Sequence, residues 1–198
     1  MNKSRMKIWE VSLLLALCFS LCLGTWAQAK QTKLSGGLVR LHVIAVSDDD
    51  YEQALKLRVR DEVLSYISPK LGGAKTAAAA QEIIANELDG IKAAAEKAAE
   101  GRTVSVTLSE EYYPTRNYEK FSLPAGKYRS LRVILGEGEG HNWWCVVFPP
   151  LCVSAAEQEQ AVESMSEDLK GLVTEEDGYV CKFRIIELWG ELMELIGA

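Results

Sequence analysis

The chain has 198 residues, with 22 basic and 28 acidic side chains and a formal net charge of −6. That length supports one domain with a real hydrophobic core. The acidic balance argues against nucleic acid or an anionic lipid surface as the ligand, because both carry the same sign of charge.

The first residues point to export. Lys3, Arg5 and Lys7 precede a 14-residue apolar run from Val11 to Gly24, and Ala27-Gln28-Ala29 follows. A basic start, an apolar run too short for a comfortable span and a small-x-small site have the order of a secretory signal peptide. Residues 1–29 are therefore expected to be a signal peptide cut after Ala29, leaving residues 30–198 as a single secreted domain. The alternative is an uncleaved N-terminal anchor, which gains weight from Glu10 in the basic start. Lipid attachment at Cys18 or Cys22 is disfavoured, since each follows a leucine where a lipoprotein signal uses a small residue. Cleavage would leave 19 basic and 27 acidic residues, a net charge of −8. No second hydrophobic span follows, so the released product is expected to be soluble.

Leu38 to Val46 alternates Leu, Val, Leu, Val and Ala against Arg40, His42 and Ile44, and predicts a strand buried mainly on one face. Ser47-Asp48-Asp49-Asp50 then supplies oxygens for a helix start, with Asp49 and Glu52 at capping-box spacing. A calcium loop would need alternating ligands and a central glycine, which this cluster lacks. The helix that follows, about 50 to 68, carries Leu55, Val59, Val63 and Ile67 on one stripe. Glu52–Lys56 and Arg58–Glu62 have i,i+4 spacing on its wet faces, and Pro69 with Gly72-Gly73 should end it. Residues 75–100 are alanine-rich and helical by propensity. Ile84, Leu88, Ile91, Ala95 and Ala98 form a narrow seam there, and Gly90 is a candidate kink or break.

Thr103 to Leu108 alternates cleanly and predicts a strand continuing toward Tyr113. Leu123-Pro124-Ala125-Gly126 is a turn. Leu131 to Leu135 and Val146 to Phe148 are two further strands joined by a glycine-rich segment. Helical patterns close the chain at about 155–173 and 181–196. The resulting order, β-α-α-β-β-β-α-α, predicts an α+β domain with an antiparallel or mixed sheet packed with helices.

Residues 136–152, GEGEGHNWWCVVFPPLC, are the densest stretch. Gly136, Gly138 and Gly140 lack the spacing of a dinucleotide-binding turn, and Glu137 and Glu139 would repel a pyrophosphate. A wide hairpin connection with unusual φ values is the plainer reading. Three cysteines lie beyond the signal peptide: Cys145, Cys152 and Cys181 allow three single pairings. Outside the cytoplasm, the nearest pair, Cys145–Cys152 around Pro149-Pro150, is favoured as a disulfide. A cysteine hydrolase would need Cys145 or Cys181 as thiolate with His42 or His141 as base, and no signature of such a site is present. No zinc-ligand spacing occurs among these cysteines and histidines. No metal, cofactor, small-molecule substrate or catalytic set is therefore expected. Trp143 and Trp144 are adjacent, so in a strand they point to opposite faces, one toward the core and one outward beside Asn142.

Several segments together resemble the stage II sporulation protein R family, the secreted signalling proteins of endospore-forming bacteria. They are LHVIAVSD at 41–48, QALKLRVRDEV at 53–63, LPAGKYRSLRVILG at 123–136 and GEGHNWWCVVFPPLC at 138–152, with CKFRIIELW near the end. The chain departs from the family pattern at Val46, where asparagine is expected, and in the alanine-rich helix, which carries no signature. The resemblance implies a messenger, not an enzyme. It would be made in the forespore and exported into the space between the forespore and mother-cell membranes. There it would activate a membrane-embedded aspartic protease of the mother cell, which cleaves the pro-form of the early mother-cell sigma factor. No set of functional residues comes with the resemblance. Asn142, Trp143 and Trp144, framed by Gly138 and Gly140 and stiffened by Cys145–Cys152, are the expected partner-binding surface, because a rigid exposed tryptophan docks at low entropic cost. Asp48 and Ser47 are read as a helix start.

Overall fold

The computed structural model describes residues 8–118, 121–152 and Lys170. The helices expected at about 155–173 and 181–196, and Cys181, lie outside the described residues. The first element is α1, Ile8–Gly36, which runs unbroken through Ala29. Leu13, Leu15, Phe19 and Leu21 on it are each more than half exposed. The helix is long and apolar enough to cross a membrane, a test that signal sequences also pass. Its last turns behave differently. Leu34 is buried, and the Gln31 side chain covers Gly126 so closely that a Cβ there would collide with the amide. Cleavage after Ala29 would therefore leave a helical stub that belongs to the fold.

β1 (Val39–Ile44) follows directly, then α2 (Asp50–Leu71). Leu55, Val59, Val63 and Ile67 are fully buried, as their spacing predicts. Pro69 is accommodated in the last turn, and the helix ends at Leu71, before Gly72. The intrahelical ion pairs expected from the spacing do not form. Glu52 instead meets Arg102, Arg58 meets Glu100 and Glu62 meets Lys97, because the segment around residues 97–102 packs alongside and offers nearer partners.

The alanine-rich region is two helices, α3 (Ala77–Asn86) and α4 (Leu88–Ala98). The break falls at Glu87, not Gly90. The Glu87 carboxylate accepts from Tyr66 Oη at 2.6 Å and from Lys70 Nζ at 3.1 Å, fixing the junction against α2. Gly90 lies inside α4, where a Cβ would strike the Tyr66 ring. It serves close helix approach, not a kink.

β2 (Val104–Tyr113), β3 (Arg116–Asn117), β4 (Ser122–Leu123), β5 (Gly126–Leu135) and β6 (Asn142–Phe148) complete the described fold. The main sheet has the order β2-β5-β1-β6, and β3 pairs with β4 separately. β1 runs parallel to β5 and antiparallel to β6. The class is the expected α+β with a mixed sheet and packed helices. One face of the sheet, with Leu41, Val43, Leu131, Val133 and Cys145, buries against the α2–α4 layer. On the other face, Tyr113, Tyr128 and Val146 pack with Leu34, Phe121 and Leu123 in a second core. That second layer explains why all six residues of β1 are buried, Arg40 and His42 included, where alternation alone predicts one wet face.

Candidate functional site

The glycine-rich segment is not a hairpin. β5 and β6 flank β1, so residues 136–141 cross over the C-terminal end of β1. Gly136 and Gly138 have φ of +57° and +68°, values that side chains disfavour. Gly140 has a different role, since a Cβ there would collide with the Ser47 carbonyl. The Gly140 N–H donates to the Ala45 carbonyl at 3.0 Å, holding the crossing segment to the strand end.

The β1–α2 loop clamps the same segment. Asp49 occupies the N-cap position of α2 but makes no side-chain cap bond, which corrects the capping-box expectation. It accepts instead from Ser47 Oγ at 2.7 Å. Asp48 accepts from the His141 N–H at 2.6 Å, so it is a tie to the crossing segment and not only part of a helix start. Lys56, buried on α2, donates to the His141 carbonyl at 2.8 Å. Burial pushes the Lys56 ammonium down and Asp48 opposes that shift. Sequence reading placed Lys56 on a wet face, because nothing in the helical period reveals a carbonyl waiting above it.

Asn142, Trp143 and Trp144 lie at the start of β6, on a strand and not a loop. The two indoles point to opposite faces as expected. Trp143 is 36% exposed, with the Arg60 guanidinium 4.4 Å from its ring centroid on the α2 side. Trp144 is half-buried on the other face, packed on the second core with Arg116 3.6 Å above its ring. Asn142 is exposed, yet its Oδ1 lies 2.8 Å from His42 Nε2. His42 Nδ1 lies 2.9 and 3.0 Å from the two Glu111 oxygens. Burial raises the Glu111 carboxyl, but the His42 hydrogen bond and charge, with Arg132, outweigh it and hold the group below its ordinary range. Glu111–His42–Asn142 thus ties the surface asparagine to the sheet. Alternation within β1 assigns His42 to a wet face, so this tie was not legible in the sequence.

Cys145 and Cys152 form a disulfide with Cα atoms 5.4 Å apart. The Leu151 N–H donates to the Val146 carbonyl inside the closed loop, which contains a cis Phe148–Pro149 bond. Cys145 is therefore not a thiolate, and it packs on the helix-covered face while His42 lies on the other. His141 pairs with Asp48 at the surface. Among the described residues no group of three His, Cys, Asp or Glu side chains could hold a metal ion.

The family model for stage II sporulation protein R (spore_II_R) matches residues 35–158. The chain is 32% identical over 180 residues to the stage II sporulation protein R of Bacillus subtilis (strain 168), an alignment covering 78% of this chain and 80% of that protein. No solved structure matches. The match spans β1, the glycine crossing, the tryptophan pair and the disulfide, and the chain belongs to the stage II sporulation protein R family.

Proposed function

We propose that this chain is an intercompartmental messenger of endospore formation. It is made in the forespore and secreted across the forespore membrane into the intermembrane space. There it activates the membrane-embedded aspartic protease of the mother cell that processes the pro-form of the early mother-cell sigma factor, pro-sigma-E. It acts by docking and not by catalysis, and it uses no cofactor, nucleic acid or small-molecule substrate.

Family membership supports the sporulation role, and the apolar α1 is compatible with export. The observation that carries the docking reading is Trp143. It stands exposed on a strand whose next residue but one is locked by a disulfide and whose preceding segment is tied to α2 by Lys56 and to the β1–α2 loop by Asp48. Such an anchor loses little freedom on binding. The competing reading, an exported cell-envelope cysteine hydrolase, loses one of its two nucleophiles to the disulfide. A Cys181→Ser variant with unchanged signalling removes the other.

Reconstitution tests the proposal. The protease and its pro-sigma substrate are placed in a non-sporulating host, with and without this protein exported. Cleavage that depends on the exported protein supports the reading. Absence of cleavage in both arms, or equal cleavage in both, refutes it.

A further inference from the structure

Buried donors without acceptors gather on one face of the sheet. Among the described residues, six buried side-chain polar atoms lack a hydrogen-bond partner, and four are Arg40 Nε, Arg40 Nη1, Arg116 Nε and Arg132 Nε. Arg40 is fully buried; its Nη2 donates to Tyr118 Oη at 2.7 Å, and its guanidinium lies 3.9 Å from the Tyr113 ring centroid. Among the described residues no carboxylate pairs with it. Arg116 stacks on Trp144, with its fork edge free of any carboxylate partner among the described residues. Arg132 sits beside His42 in the register and makes only a long ion pair with Glu111, its Nε 3.7 Å away and beyond hydrogen-bond reach.

Among the described residues, three guanidinium groups therefore share a sheet face with one carboxylate, Glu111, which is already engaged by His42. That is a local positive excess in a chain of net charge −6. Buried charged donors left unmet are costly, and fully apolar replacements would be cheaper for folding alone. Arginine at such positions suits planar, two-oxygen acceptors. Part of the face is open: Ser105, Thr107 and Asn142 are exposed, and the Arg132 side chain is 39% exposed.

We propose that Arg116 and Arg132, with Arg40 behind them, form a receptor for the carboxylates of an acidic peptide segment on the protein partner. The proposal rests on the docking reading above and names the chemistry that the surface beside Trp144 recognises. A carboxylate fits better than a phosphate group, because Glu111 and the net charge of the chain repel a dianion about twice as strongly as a monoanion.

The test uses the full chain in detergent and follows the arginine Nε–H resonances by NMR. The probes are a blocked Gly-Glu-Gly peptide, its Gly-Gln-Gly counterpart and inorganic phosphate. The glutamate peptide should shift the Arg116 signal and the glutamine peptide should not. Arg116→Gln should weaken that binding about tenfold or more, the loss expected for a hydrogen bond to a charged group. Arg116→Lys, which keeps the charge but not the fork, should weaken it too. Equal shifts from the two peptides overturn the proposal, as does tighter binding of phosphate. In the reconstituted pathway, a wild-type chain that fails to trigger cleavage counts against the function, while the peptide titration still judges the receptor. A wild type that works beside an unimpaired Arg116→Gln overturns the receptor alone.

Discussion

Replacing Cys145 and Cys152 together by alanine opens the loop that closes β6. The sequence separation is 7, so eight residues lie in the ring. In the chain-entropy treatment, a ring of that size removes about 8 cal/mol/K from the unfolded ensemble, or roughly 2.5 kcal/mol at 25 °C. For a chain of this size each kcal/mol moves the melting temperature by about 2–4 °C, giving a drop of about 5–10 °C. The assay is thermal unfolding followed by circular dichroism, comparing oxidised wild type with the double variant. Because Cys145 is buried against the helices, the amides of Val146 and Val147 should also lose protection in hydrogen exchange. A melting temperature within about 2 °C of wild type would refute the reasoning, since it would mean the Leu151–Val146 turn holds the loop without the bridge.

Trp144→Ala should destabilise the protein by about 3 kcal/mol, because the indole fills space between His42, Tyr113 and Arg116; denaturant titration measures it. Leu34→Ala should cost about 2–5 kcal/mol in the same titration although Leu34 lies only five residues past the expected cleavage site, because it is buried in the second core. Glu111 contributes a pH dependence. Its folded-state carboxyl is held below the ordinary value, so its contribution is complete above that value and lost as pH falls through the folded one. Glu111→Gln should be less stable than wild type at neutral pH, and the gap should close as the pH is lowered; a gap independent of pH would contradict this.

The helix-covered half of the fold was legible in the sequence. The stripe on α2, the alternation of β2 and the buried seam of Ile84, Ile91 and Ala95 follow from the 3.6 and 2.0 periods, which report burial directly. The opposition of the two tryptophans came from the same strand geometry. What escaped was set by contacts distant in sequence. Period alone could not show that β1 separates β5 from β6, so the glycine segment read as a hairpin. Nor could it show that Gly90 answers Tyr66, that Asp48 and Lys56 meet at His141, or that Arg40 is buried beneath a second layer. At the site, Asn142, Trp143 and Trp144 are consecutive on β6, but the two indoles face opposite sides of the sheet and do not make one surface. Their support from His42, Glu111 and Arg116 comes from three different strands, a proximity that no local period encodes.

The central claim is that the exposed face of Trp143 meets the protease. It is tested by exporting wild type and Trp143→Ala into the reconstituted host at matched levels and measuring pro-sigma cleavage. The indole is only partly buried, so the variant should fold and be secreted normally while cleavage falls by about tenfold or more, as for a docking hot spot. Undiminished cleavage by the folded variant would contradict the account.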